Sequence, residues 1–379
     1  MNVIVIILSS CFLFSIVIQS QFLSDSEVQL RVLQEISAYN KEKIPIDKRS
    51  LSVYYLPSAV SADDSIDIIK NNLKVFVGAV LSHKRTAKHQ AFYIFCIGGG
   101  EDNILNQYLP YNATNVAFIK TSIAHNDLFS HIHMVSLLGE TIISKFHSVL
   151  FINQDVRGPF VDRVNGEWWK HFIDIMDENP SVALVGPLIS CEMAPHVQTH
   201  VFAMRSDAVL EIFSEFNPRS SAGKRNRAKH IETTITAETR ALGYDVSSIY
   251  YKNQFNKTVF DGSCPTREGN TAQYKSNPTS WCDVRPNETV FVKWGGLPLR
   301  IRGYYCQSTV EEIQRETARI AESEAQLQLS LPETLYGGKL HLLHKEYDQE
   351  IWRDRNVKIL TTPLPADTSK VRIIILFFP

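Results

Sequence analysis

Residues 149–160 read Val-Leu-Phe-Ile-Asn-Gln-Asp-Val-Arg-Gly-Pro-Phe, and this junction constrains the fold more than any other stretch. An unbroken apolar run is the pattern of a strand covered on both faces, as in a parallel sheet. The run stops at Asn153-Gln154-Asp155, and Gly158-Pro159 turns the chain. A buried parallel strand would deliver Asn153 and Asp155 to its carboxyl end, where open α/β sheets place their ligand crevice. Side chains two apart on an extended chain point the same way. The two would then face one bound cation or one ribose-diphosphate together, and oxygen ligands of this kind suit Mg2+ or Mn2+. The competing reading is a strand that ends in an Asx turn, with Asp155 capping the backbone.

The surrounding pattern agrees with an α/β class. Apolar, strand-like runs occur at 73–80, 91–97, 115–119, 144–152, 182–185 and 201–202. Segments of helical period lie between and after them, at 65–70, 103–109, 129–140, 168–176, 207–216 and 231–242. Strands alternating with helices imply a mostly parallel sheet flanked by helices. Gly243 reads as the C-cap of the last of these helices. Residues 289–293 read as a late strand, and 250–280 as a long polar loop. Residues 310–327 carry Val310, Ile313, Ile320 and Leu327 on one helical stripe, which packs on the domain or on a partner helix. The terminal 371–379 looks like a strand cut off at its end, either a shortened chain or an edge strand.

At 379 residues the chain accommodates one large α/β domain with appendages, or two domains. Hydrophobic content of 44% is that of a globular protein, and the formal charge of −1 gives no electrostatic case for nucleic acid. The basic cluster at 224–230 reads as a solvated loop. Residues 2–18 are almost all apolar, so 1–20 reads as a secretory signal peptide or a short signal anchor, with membrane anchoring through 2–18. The expected location is the secretory pathway, as a single-pass type II protein of the Golgi lumen or a secreted one. Sequons at Asn112, Asn256 and Asn287 fit that route. So does a disulfide between Cys264 and Cys282, which bracket a loop rich in Pro, Gly, Asn and Ser, although Cys306 competes as partner. Cys96 lies in an apolar run and reads as a buried thiol.

Further candidates cluster at the same end of the expected sheet. Asn126-Asp127 precedes a helix and serves either as an N-cap or as a recognition element for a base or ribose. In Ser190–Phe202, His196, Gln198 and His200 alternate, so on an extended segment they share a face able to hold diphosphate or sugar hydroxyls. Glu192 is a candidate base. Glu232 and Glu238 lie six apart on one expected helix, so at most one faces a given pocket. The triple glycine at 98–100 lacks the helix opening and acidic partner of a dinucleotide fingerprint and reads as a turn. Neither a Gly-x-Ser-x-Gly elbow nor a Walker pattern is present.

Three blocks carry a resemblance. Phe151-Ile-Asn-Gln-Asp-Val-Arg-Gly-Pro-Phe160 resembles a block of a eukaryotic nucleotide-sugar glycosyltransferase family. It is also similar to one in bacterial rhamnan-synthesis (RgpF-like) proteins. Leu184–Ser190 with Pro195–Ala203 resembles the next block, and Thr289-Val-Phe-Val-Lys293 a late one. The resemblance implies a GT-A-like domain over 70–305. The polar, helix-prone stretch before it reads as a stem or N-terminal cap over 21–69, and the residues after it as a helical extension over 306–379, cut off at its end or closing on an edge strand. The resemblance also implies sugar transfer from a nucleotide-sugar donor to a glycan or glycoprotein acceptor. In GT-A enzymes an Asp-x-Asp holds a divalent cation, Mn2+ or Mg2+, on the donor diphosphate, and Asn153-Gln154-Asp155 stands at that position here. Asp155 is then the metal ligand. Asn126, Asp127, Asn153, Arg157, His196 and Gln198 are the donor-side residues, and Asp155, Glu192 or Glu238 the catalytic carboxylates. Arg157 and His196 are the alternative means of neutralising the leaving diphosphate. Two rival classes are a non-catalytic glycan- or nucleotide-sugar-binding relative, and a secreted interaction protein acting through 310–327.

Overall fold

A computed structural model of the chain describes residues 4–8, 14–18, 25–39, 49–57, 66–80, 91–98, 105, 108–110, 115–121, 127–160, 167–190, 194–215, 224–262, 286–294, 311–319 and 342–343. The main strands in chain order are β1 (Ser50–Leu56), β2 (Ala91–Gly98), β3 (Val116–Thr121), β4 (Ser148–Ile152), β5 (Val182–Gly186), β6 (Val201–Arg205), β7 (Asp245–Ser248) and β8 (Leu342–Leu343). They form one eight-stranded sheet in the order β7-β5-β6-β4-β1-β2-β3-β8. Only β6 runs antiparallel, against both β4 and β5, while the other pairs are parallel. The expected mostly parallel sheet flanked by helices is what the chain forms.

Helices α1 (Asp25–Tyr39), α3 (Asp127–Ile143), α5 (Ser206–Glu215) and α6 (Lys224–Ala241) pack one face of the sheet. Helices α2 (Ile66–Val80) and α4 (Lys170–Glu178), with residues 290–294, cover the other. Strands buried on both faces explain the unbroken apolar runs of β2 and β4, in which every residue is buried. On the second face Phe76 is the hub. Its ring lies 4.8 Å from Tyr54, 6.1 Å from Tyr93, 6.2 Å from Trp168 and 6.5 Å from Phe291, so α2, the sheet and residue 291 share one aromatic cluster.

The topology contains the feature at which sheets of this kind take a ligand. From β1 the chain steps to β2 and β3 on one side, then crosses back to place β4 on the other side of β1. The β1/β4 boundary is therefore a switch point, and open α/β sheets place their ligand crevice at such a point, outside the carboxyl ends of the strands. In register, Tyr54 lies opposite Ile152, so Asn153–Asp155 emerges beside the end of β1.

Several elements differ from expectation. Residues 73–80 are not a strand but the second half of α2, because Ile69, Leu73, Phe76 and Val80 recur at helical spacing and are buried. The first strand is instead Ser50–Leu56, within the 21–69 stretch, disguised by two serines that are buried like the rest. The basic residues 224–230 open α6 rather than a loop, and residues 144–147 are the turn after α3. Residues 289–293 split into the end of a short helix, Pro286–Thr289, and a two-residue strand, Val292–Lys293. The loop expected from 250 begins with a short helix, Ile249–Phe255. In the helix at 311–319, Ile313 is fully buried in the second-face core, so the described part of the 310–327 segment packs on the domain.

Ile4–Leu8 and Phe14–Ile18 pair as a separate antiparallel hairpin, and among the described residues no helix is long and apolar enough to cross a membrane. The 371–379 stretch lies outside the described residues, as do Cys264, Cys282, Cys306 and Asn112. Cys96 is a buried free thiol, its ionisation pushed up to about 12 by burial. Asn256 is exposed at the left-handed C-cap of Ile249–Phe255 (φ 51), while Asn287 sits on the Pro286–Thr289 turn of helix.

Candidate functional site

Segments far apart in sequence converge beyond β4. Val156–Arg157 pairs antiparallel with Val292–Lys293, and Trp294 N donates to Asp155 O at 2.6 Å. Asn153 N donates to His200 O at 3.0 Å, beside the ribbon Ile189–Ser190/His196–Val197. All three blocks of the resemblance thus meet at the switch point. Asn72 on α2 clamps two of them. Its Nδ2 reaches Gln154 O at 3.1 Å and Trp294 O at 3.0 Å, while its Oδ1 accepts from Arg157 Nε at 2.9 Å.

The second ribbon, Val156–Arg157 with Val292–Lys293, is held by strained backbone. Phe291 N donates to Thr289 O at 2.7 Å across Val290, whose φ is 67, the rare γ-turn geometry. A β-branched residue there costs on the order of 1–3 kcal/mol, which the surrounding packing must offset. The Val290 carbonyl accepts from Phe160 N at 2.8 Å. Gly158, at φ 141, lies so close that a Cβ would stand 2.6 Å from Val290 O, so glycine is required on both counts.

Asn153 and Asp155 do not share a site. Asn153 keeps the strand alternation and follows Phe151 to the α3 face. There its Oδ1 lies 2.8 Å from His131 Nε2 and its Nδ2 donates to Thr199 O at 3.4 Å. An amide oxygen only accepts, so His131 carries its proton on Nε2. His131 is fully buried among Tyr55, Phe151 and Phe202, and burial pushes its pKa down to about 4. The turn at 154–155 instead swings Asp155 toward Tyr54, on the opposite face, and its charge helps burial hold the Tyr54 phenol well above the usual range.

Asp155 Oδ2 lies 3.2 Å from Lys293 Nζ, while its buried Oδ1 accepts no hydrogen bond among the described residues. Arg157 is buried at 7% exposure, with its guanidinium 4.7 Å over the Trp294 ring. Its pKa is lowered to about 10 by burial, and no carboxylate among the described residues pairs with it. Two cations therefore accompany one carboxylate at the end of β4.

His196 is buried, its Nδ1 2.7 Å from Ala194 O, and Val197 N donates to Thr236 Oγ1 of α6 at 2.9 Å. Gln198 is half-buried and its Oε1 accepts no hydrogen bond among the described residues. Their ribbon borders Asn153 through His200 O. Glu238 is half-buried on α6. Glu192 and Asn126 lie outside the described residues, as do the side chains of Asp127 and Glu232.

These residues do not fit a divalent cation held as Asp-x-Asp. Asn153 Oδ1 is occupied by His131, Lys293 already sits on Asp155, and among the described residues no group of three His, Cys, Asp or Glu side chains comes together. Mg2+ and Mn2+ need several oxygen ligands at once.

Sequence reasoning missed Lys293, Asn72, Trp294 and Tyr54. Asn72 carried a signal, because a lone Asn inside an otherwise apolar helical stripe demands buried hydrogen-bond partners. Lys293 closes a quoted block, yet its meeting with Asp155 is a long-range pairing that no local pattern encodes.

No family model and no curated protein matches the chain. Among solved structures it is similar to the galactosyltransferase LgtC in complex with donor and acceptor sugar analogs, at 11% identity over 75% of this chain and 98% of that one, with a TM-score of 0.35. It is similar to a putative nucleotide-diphospho-sugar transferase from Desulfovibrio desulfuricans G20, at 10% identity over 52% and 78%, TM-score 0.31. A 4-diphosphocytidyl-2C-methyl-D-erythritol synthase from Anaerococcus prevotii gives 10% identity over 54% and 87%, TM-score 0.31.

Proposed function

We propose that the chain is a GT-A-like glycosyltransferase that takes a nucleotide-sugar donor at the carboxyl ends of β1 and β4. The observation that carries this reading is the convergence of three distant segments at the switch point, where Asp155, Arg157 and Lys293 gather. In the reaction the bond from the anomeric carbon to the diphosphate oxygen breaks and the electron pair leaves on the diphosphate. A bond from the acceptor hydroxyl oxygen to that carbon forms, and the hydroxyl proton passes to a carboxylate base, Asp155, Glu192 or Glu238. The protein's contribution is positioning and a fixed positive field for the departing charge. Arg157 supplies part of that field from a buried position, where low dielectric strengthens it. Acceptors of glycan or glycoprotein type in the secretory pathway belong to the same proposal.

The test is a thermal-shift and turnover screen of UDP- and GDP-sugars, followed by Asp155→Ala. Binding raises the melting temperature by mass action. Turnover that survives Asp155→Ala unchanged removes Asp155 from the site.

A second reading, a non-catalytic nucleotide-sugar-binding relative, is favoured by one observation: Asn153 is a core residue and Asp155 is already ion-paired. Nucleotide-sugar binding with no hydrolysis or transfer, across donors and acceptors, selects that reading.

A further inference from the structure

The mismatch between this site and a divalent cation has a positive counterpart. Lys293 Nζ occupies one oxygen of the carboxylate on which a metal would be expected, at 3.2 Å. Its side chain is 35% exposed, unlike the buried Arg157, so it lies within reach of a soluble ligand. Ladder alternation separates the two cations, since Lys293 stands opposite Val156 and Arg157 opposite Val292. Lys293 is therefore the cation at the accessible surface of the ribbon, and Arg157 the one locked beneath Asn72 and Trp294. The Lys293 backbone is fixed by unusual means: Val290 and Gly158 both hold positive φ where the two segments cross, and Trp294 is tied to Asp155. Backbone strain retained at one place in a fold points to a positional demand there. The bond to Asp155 orients the Lys293 ammonium.

We propose that Lys293, oriented by Asp155, is a built-in cation that binds a pyrophosphate group in place of a divalent metal. This rests on the reading of the site as a nucleotide-sugar site. Asp155 is then a positioning residue, and the ligand chemistry shared by UDP- and GDP-sugars is the diphosphate. No metal enters the binding step, and binding is insensitive to chelation.

The experiment measures binding of inorganic pyrophosphate, UDP and GDP to the full chain by calorimetry, once in EDTA and once in Mn2+. The expected result is equal affinity in both. Lys293→Met lowers affinity by about tenfold to a hundredfold, the scale of a lost charge-assisted hydrogen bond, and Lys293→Arg restores most of it. Circular dichroism of each variant establishes that it is folded, and the EDTA/Mn2+ comparison on the unmodified chain needs no variant. Binding that requires Mn2+ overturns the inference and leaves the nucleotide-sugar reading standing. Undiminished binding in a folded Lys293→Met overturns the role of Lys293. Absence of binding to all three probes, with or without Mn2+, overturns the inference and the reading on which it rests.

Discussion

His131 Nε2 donates to Asn153 Oδ1 at 2.8 Å, tying α3 to the carboxyl end of β4 inside a cage of aromatic rings. The folded pKa of His131 is about 4, against 6.5 for the free side chain. Below 6.5 the unfolded chain takes up this proton and the folded chain does not. The contribution is therefore intact above pH 6.5 and is lost as pH falls toward 4, by an amount on the order of 3 kcal/mol. Urea unfolding between pH 7 and pH 4.5 should show the decline, and His131→Gln should flatten it. An unchanged slope in the variant would mean that other groups dominate acid unfolding.

Asn72→Ala should destabilise the protein by about 2–4 kcal/mol, because it deletes one side chain that makes three hydrogen bonds and leaves two backbone carbonyls and the Arg157 Nε unmatched. The midpoint of chemical denaturation measures this. Asn72→Asp keeps the acceptor for Arg157 but not the donors, and should recover only part of the loss.

Gly158→Ala should cost about 2 kcal/mol or more, because the new Cβ meets Val290 O and the φ of 141 is foreign to alanine. Hydrogen exchange should localise the loss to residues 155–160 and 289–294. Protection unchanged in those segments would show that the ribbon relaxes freely.

Phe76→Ala should cost about 3–5 kcal/mol, since the ring joins Tyr54, Tyr93, Trp168 and Phe291 in one cluster. Thermal melting detects it, and Phe76→Leu should lose roughly half as much.

Much of the architecture was legible because parallel strands buried on both faces must be apolar throughout, as 91–97 and 149–152 are. The errors have physical sources. Residues 73–80 are β-branched yet helical, since burial of one face overrode local preference. Ser50–Leu56 escaped notice because a strand covered on both sides need not look apolar when small polar residues fit. At the site, the sequence located the switch-point residues but misjudged their mutual orientation. Period-two alternation puts Asn153 and Asp155 together only if the strand continues, and it ends at Ile152 with a turn that sends them apart. The Asp155–Lys293 pair spans the chain and depends on the packing of two ribbons, which composition and spacing do not carry.

The central claim is that a nucleotide diphosphate binds where β1 and β4 end. The most direct measurement is the crystal structure of the chain soaked with UDP- or GDP-sugar. The account predicts the diphosphate beyond the carboxyl ends of β1 and β4, with a phosphate oxygen within hydrogen-bonding distance of Lys293 Nζ. A nucleotide seated elsewhere on the molecule, with the Asp155–Lys293 pair untouched, would contradict it.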